Sequence, residues 1–286
     1  MPRKMYRNGM KLSFTTLGCP KWGLPTILAR AKEYGFDAVD FRGLGEKLDV
    51  TLLREFSTQV DATARMFRDA GLAVSGISSS IRLCDPDQCT ANVEEAQRTI
   101  PALKALGSQF VRVYGGGSID RHGREGAVKI ARECMHRILA LPGASDVQWL
   151  LETHDNWIAS HDCLMLLNAI CAPNVGLVWD IAHSPRFAGE SVDMAFSKIG
   201  SKVRNTHLKD CRHEPDHAQA SLDGWRYVTP GTGDIQLRRA VQLLRKAGYD
   251  GYLTFEHEKR WHPELAEPEH IFPAFVQWAR QVLAEV

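Results

Sequence analysis

At 286 residues the chain is long enough for one large domain or two small ones, and 44% apolar against 24% charged residues is an ordinary globular balance that excludes disorder. Thirty-five basic residues against 34 acidic ones leave a formal charge of +1, so no overall attraction draws nucleic acid or an anionic membrane. No run of about 18 apolar residues offers a membrane span.

The first residues, Met1-Pro2-Arg3-Lys4-Met5-Tyr6-Arg7, are basic but precede neither a long apolar segment nor a small-residue cleavage site. No secretory signal is read there, and a cytoplasmic location is expected. Short apolar runs then alternate with amphipathic stretches of helical length through eight cycles. Strands are expected over 11–15, 38–42, 73–77 and 110–114, with helices over 24–34, 51–70, 89–106 and 124–141. Gly35, Gly71 and Gly107 close the first three helices. The second half repeats the scheme, with strands over 147–152, 175–180, 203–208 and 251–256 and helices over 160–171, 190–199, 235–247 and 268–285.

Strands buried on both faces and separated by helices read as parallel strands under crossover helices. Eight such units fit a closed (β/α)8 TIM barrel, an α/β fold for which about 250 residues is typical. A doubly wound open sheet is the alternative, but the first strand lacks a GxGxxG turn. No Pro-, Gly- or Ser-rich linker divides the chain, so a single domain over 1–286 is expected. The connection 210–234 is long and polar and carries the turn signal Asp223-Gly224, as a lid or substrate wall on the C-terminal face would. Phe272, Phe275, Trp278 and Val282 have the spacing of a helix packed on the barrel.

The last four strands end in ligand-type residues: Glu152 in Leu151-Glu152-Thr153-His154, Asp180 in Trp179-Asp180, His207 in Asn205-Thr206-His207, and Glu256 in Phe255-Glu256-His257. A parallel barrel delivers every strand end to one rim, so these four converge although they are distant in sequence. Singly each has a plainer reading: a solvated acid, a turn cap, a hydrogen-bonded histidine. Together, three carboxylates in one mouth repel each other, and a bound cation resolves the conflict. Three carboxylates and an imidazole suit one divalent ion, with Mn²⁺, Mg²⁺, Co²⁺ and Zn²⁺ all compatible.

Around them His154, His183, Lys209 and Asp210 are candidates either to touch substrate or to satisfy neighbours. Arg112, Arg42 and Asp40 on the second and fourth strands are candidates either for the pocket or for ordinary ion pairs. Gly115-Gly116-Gly117 and Pro230-Gly231-Thr232-Gly233-Asp234 read first as plain turns. The seven cysteines are odd in number and form no CxxC pair, hence reduced structural thiols, with only Cys19 and Cys211 near the site.

At these residues the chain resembles the xylose isomerase-like TIM-barrel superfamily, and within it the sugar phosphate isomerase/epimerase group. The likeness covers nearly the whole chain and includes Leu17-Gly18-Cys19-Pro20-Lys21-Trp22, Asp180-Ile181-Ala182-His183, His207-Leu208-Lys209-Asp210, Gly231-Thr232-Gly233-Asp234 and Glu256-His257-Glu258-Lys259-Arg260-Trp261-His262-Pro263. The resemblance implies one divalent metal held by Glu152, Asp180, His207 and Glu256. It also implies Glu152 and Glu256 as the residues that move a proton, and His154 and His183 as facing the substrate; Lys209, Arg112 and Arg260 are further candidate substrate contacts.

The implied activity is that of an isomerase of enzyme class 5, a sugar isomerase or epimerase. It would take a small sugar, sugar phosphate or keto-polyol through a metal-bound enediolate. A keto-sugar or inosose-type dehydratase shares the proton-abstraction step and is the alternative; a metal-binding protein without catalysis is a third reading. Endonuclease IV, with its trinuclear zinc cluster, uses further histidines at the second and third strand ends, where this chain has Asp40-Phe41-Arg42 and Ser78-Ser79-Ser80. The expected partner is therefore a small carbohydrate, with no nucleic acid and no membrane, and the resemblance brings the expectation of a homo-oligomer.

Overall fold

The computed structural model describes residues 9–285, so the reading of the basic N-terminus falls outside the described residues. Eight parallel strands close a barrel: β1 (Lys11–Thr15), β2 (Ala38–Phe41), β3 (Ala73–Arg82), β4 (Phe110–Tyr114), β5 (Gln148–Glu152), β6 (Val175–Asp180), β7 (Val203–Leu208) and β10 (Tyr252–Phe255). Lys11 opposite Tyr252 and Phe14 opposite Phe255 seal β1 against β10, which rules out the open sheet. β8 (Asp210–His213) and β9 (Trp225–Val228) form a separate antiparallel ribbon.

The covering helices are α1 (Leu24–Tyr34), α2 (Val60–Ala70), α3 (Cys89–Leu106), α4 (Ile119–Leu139), α5 (Ser160–Ile170), α6 (His183–Phe187), α7 (Val192–Ile199), α8 (Leu237–Lys246) and α9 (Pro268–Glu285). Neither these nor any other described helix is long and apolar enough to cross a membrane.

Alternation along each strand sorts the core into two layers. Phe14 points outward, its ring 4.7 Å from Phe36 and 4.6 Å from Phe272 of α9. Phe255 stacks on Phe275 of the same helix at 4.6 Å, so the expected apolar face of α9 does cover the barrel. The intervening residues face a lumen that is small and polar. Ser13 bonds Ser75 across it at 2.7 Å, Thr254 reaches Asn205 and Ser78 donates to Asp40. Burial of these groups is tolerated because each finds a partner.

Several boundaries differ from the expected ones. The segment 51–70 is not one helix. Short 3-10 turns at Val50–Leu52 and Arg54–Phe56 precede α2, because the Asp49 carboxylate takes the Thr51 N–H at 2.9 Å and Leu53 is extended. Such a side-chain bond competes with helix continuation. α4 begins five residues earlier than expected and breaks at Gly123, whose φ of 65 leaves the helical region. β3 runs on to Arg82, and 190–199 resolves into the end of a loop and α7, with α6 added before it. The long connection 210–234 is largely the β8–β9 ribbon, projecting from the C-terminal end of β7 with Gly224 turning at its tip. All seven cysteines are free.

Candidate metal centre

The register of the strands sets the height of each side chain. Asp180 ends β6 directly opposite His207 of β7, Glu152 ends β5, and Glu256 follows β10 two residues beyond Thr254, which pairs with His207. Two residues along a strand is one face, so all four side chains enter the same mouth. One ligand atom from each lies within 4.8 Å of those from the others, and all four residues are buried, at 0% to 5% exposure.

Two cations organise the acids. Lys209 Nζ stands 2.7 Å from Asp180 Oδ2, 2.6 Å from Glu256 Oε2 and 2.7 Å from Glu258 Oε1. Arg112 Nε lies 3.2 Å from Glu152 Oε2, while its Nη1 donates to the Ser79 carbonyl and its plane stacks 3.7 Å from the Tyr114 ring centre. Each glutamate is thus anchored through Oε2. Both Oε1 atoms turn to His207 Nδ1, at 3.0 Å from Glu152 and 3.2 Å from Glu256.

Charge at this spacing shifts every titration. Burial opposes the charged forms of Glu152 and Glu256, yet His207, with Arg112 and Lys209 respectively, holds both below the usual carboxylate range. Burial likewise disfavours the His207 cation, but the two glutamates keep it well above the ordinary imidazole value. Asp180 is pushed up to about 7 by burial and by Glu256 and Glu152, in spite of Lys209. A group of three acids and an imidazole that must hold a proton at its centre is one whose proton a divalent cation replaces.

His183 joins the cluster: Nδ1 lies 2.8 Å from the Thr153 carbonyl and Nε2 3.4 Å from Asp180 Oδ2. Burial, then the charge of Lys209, lowers its pKa to about 3, so the ring is neutral. His154 pairs with Asp155 at 2.7 Å and lies between the rings of Tyr114 and His183, at 4.7 and 5.1 Å.

Other candidates sit elsewhere. Arg260 Nη1 donates to the Gly45 carbonyl, tying the loop after β10 to the loop after β2, with no bond to the four-residue group. Asp210 turns away into the Gly231–Asp234 turn, accepting from the backbone N–H of Gly231, Gly233 and Cys211 at 2.7, 2.9 and 3.0 Å. Arg42 donates to Ser80 at 2.9 Å, and Asp40 is held in the lumen by Ser78.

The glycine turns serve packing, as the plain reading has it. A Cβ on Gly115 would stand 2.1 Å from the Trp157 ring, and one on Gly233 2.2 Å from Asp210 Oδ1. Cys19 and Cys211 are buried, and Cys211 Sγ lies 3.8 Å from Arg186.

Sequence reasoning missed Glu258, Tyr114 and Tyr227. The first two had a usable signal, since Glu258 is two residues beyond Glu256 and Tyr114 two beyond Arg112, each on the same face. Tyr227 had none, because the ribbon alone carries it to the mouth. There Arg186, paired with both carboxylate oxygens of Asp223 at 2.5 and 3.1 Å, lies under the Tyr227 ring.

The chain belongs to the family described as Xylose isomerase-like TIM barrel, whose pattern it matches over residues 28–282. Among curated proteins it is similar to the inosose dehydratase of Mesomycoplasma hyopneumoniae strain 7448, 29% identical over 119 residues, which is 38% of this chain and 39% of that protein. It is also similar to the inosose dehydratase of Bacillus licheniformis, 28% identical over 102 residues, or 33% of each chain. The match thus spans well under half the length of these relatives. Among solved structures, a probable 3-DHS dehydratase from Bacillus anthracis superposes with a TM-score of 0.75 at 18% identity, covering 95% of this chain and 99% of that one. A 3-keto-D-glucoside 4-epimerase from E. coli gives 0.72 at 15%, with the same coverages. At such identities the likeness is one of fold.

Proposed function

We propose that this member of the xylose isomerase-like family is a divalent-metal-dependent enzyme that moves a carbon-bound proton on a small sugar or keto-polyol, as an isomerase or epimerase. The observation that carries the reading is the paired geometry of Glu152 and Glu256. Each has one oxygen fixed by a buried cation and the other turned to His207 Nδ1 at the centre of the mouth.

A divalent ion held by Glu152, Asp180, His207 and Glu256 would bind a carbonyl and its adjacent hydroxyl and make the neighbouring C–H more acidic. Lys209 keeps Glu256 ionised, so its Oε1 is competent to take that proton. Glu152, held by Arg112 on β4, faces the same centre from two strands away from β7. Return of the proton by this second carboxylate from the other face inverts the carbon; return to the adjacent carbon interconverts aldose and ketose. Neutral His183 and the Asp155-paired His154 line the wall and offer ring nitrogens to hydroxyls.

The names of the curated relatives favour a second reading, a keto-sugar or inosose-type dehydratase, which shares the abstraction and then expels a β-hydroxyl. Solvent deuterium exchange into a panel of ketoses and keto-inositols, followed by NMR, tests both. Glu256→Gln and Glu152→Gln should each lower exchange by at least about a hundredfold, in keeping with the usual worth of a positioned acid or base. Exchange at the wild-type rate in either variant rejects that residue's role. Formation of an enone selects the dehydratase.

A further inference from the structure

The charges around the mouth nearly close without a substrate. Four carboxylates, Glu152, Asp180, Glu256 and the mostly buried Glu258, share two cations, Arg112 and Lys209. A divalent ion, taking His207 as a neutral ligand, brings this group to zero.

Four further basic side chains are already committed, while Arg82 is exposed and its charge acts on Asp155. Arg42 is buried and donates to Ser80, whose backbone N–H is taken by the buried Glu95 carboxylate at 2.8 Å. Arg186 is held by Asp223; Lys259 by Glu267 at 2.9 Å and by two backbone carbonyls; Arg260 by the Gly45 carbonyl. Asp40 adds acid, not base, to the lumen below.

The wall, by contrast, is aromatic. Rings run from Tyr114 to His154, His183 and Phe187 at successive separations of 4.7, 5.1 and 5.5 Å, and Tyr227 meets His262 at 5.3 Å from the ribbon side. Such a wall presents apolar faces to the C–H face of a polyol and ring nitrogens or hydroxyls to its oxygens.

We infer that the substrate is an uncharged keto-polyol and not a sugar phosphate or keto acid. A phosphate group would bring about −1.5 to −2 charges at neutral pH into a mouth whose cations already serve carboxylates. Each oxyanion contact would strip a cation from a buried acid, a like-charge conflict that sets specificity. The inference rests on the proton-transfer reading for the choice of carbonyl ligands, and it narrows the substrate class of that same site.

The test is isothermal calorimetry of the metal-loaded protein with matched pairs, D-fructose against D-fructose 6-phosphate and D-tagatose against D-tagatose 6-phosphate, with inorganic phosphate as a competitor. The uncharged member of at least one pair should bind in the millimolar range or better, and its phosphorylated partner about a hundredfold more weakly. Equal or tighter binding of a phosphorylated member, competition by inorganic phosphate, or no binding of either uncharged sugar overturns the inference.

Glu258→Gln, which removes one negative charge outside the four-residue set, should narrow the gap within a pair at least about tenfold; an unchanged gap counts against the charge argument. Deuterium exchange is read separately on the same pairs. Binding of the uncharged member without exchange would reject the proton-transfer reading and leave the charge inference standing.

Discussion

Lys209→Met is the most informative single change, because one nitrogen serves three acids. Lys209 is 2% exposed, and its Nζ lies 2.6 to 2.7 Å from Asp180, Glu256 and Glu258. Methionine preserves most of the stem and its packing, so the loss isolates the charge. Removing one partner of a buried ion pair costs about 3–5 kcal/mol, since the other is left uncompensated. For a chain of this size about 2 °C of Tm corresponds to each kcal/mol, which gives a fall of about 6–10 °C in chelator-treated protein.

The same loss leaves the carboxylates with only Arg112 and the His207 proton and makes the mouth a stronger cation site. A tenfold gain in ion affinity adds about 1.4 kcal/mol, so saturating Mn²⁺ should raise the variant's Tm by about 3 °C more than it raises that of the wild type. The assay is a pair of circular-dichroism melts, in chelator and in excess Mn²⁺. A chelated variant that melts within about 2 °C of wild type, or gains less from the ion than wild type does, would refute the assignment of Lys209 as the counter-charge of the acid group.

Three further outcomes follow from the same geometry. His207 Nδ1 carries a proton between two carboxylate oxygens at 3.0 and 3.2 Å, so ion binding near pH 7 should release about one proton per ion, measurable by calorimetry in buffers of different ionisation enthalpy; no net release argues against His207 as a ligand. His183 is held near a pKa of 3 against 6.5 for a free imidazole. Below pH 6.5 the unfolded chain therefore takes up a proton that the folded one refuses, and stability falls by up to about 1.4 kcal/mol per pH unit as the pH drops toward 3. Urea midpoints of His183→Gln between pH 7 and 4 should lack that one-proton slope, and an unchanged slope refutes the assignment. Gly233→Ala places a Cβ 2.2 Å from Asp210 Oδ1 and 2.5 Å from the Cys211 carbonyl; the strain should cost about 1–3 kcal/mol and lower Tm by about 2–6 °C, and wild-type melting would show that the turn yields.

The sequence alone carried the order of elements and the approach of the four-residue group. Apolar runs of strand length bounded by glycine caps are a local, periodic signal, and the ends of β5, β6, β7 and β10 fall within a residue or two of where that signal places them. The parallel barrel then sends strand ends to a common rim whatever their separation in the chain, so Glu152, Asp180, His207 and Glu256 were legible as a set before any coordinates. The segment 51–70 misled because its amphipathic period survives although the chain is extended at Leu53, between two short 3-10 turns.

Tertiary structure decided the rest. Whether Arg260 and Asp210 face the mouth or a loop depends on backbone atoms far away in the chain, Gly45 for one and Gly231 and Gly233 for the other. The pairing of Arg112 with Glu152, the three-acid grip of Lys209 and the arrival of Tyr227 on the ribbon depend on distances across the mouth that no spacing encodes. Periodicity is a property of neighbours along the chain and so is written in the sequence. Charge balance is a property of neighbours in space, and only closure of the barrel, which brings β1 onto β10 and sets the height of each strand end, fixes which acid meets which base.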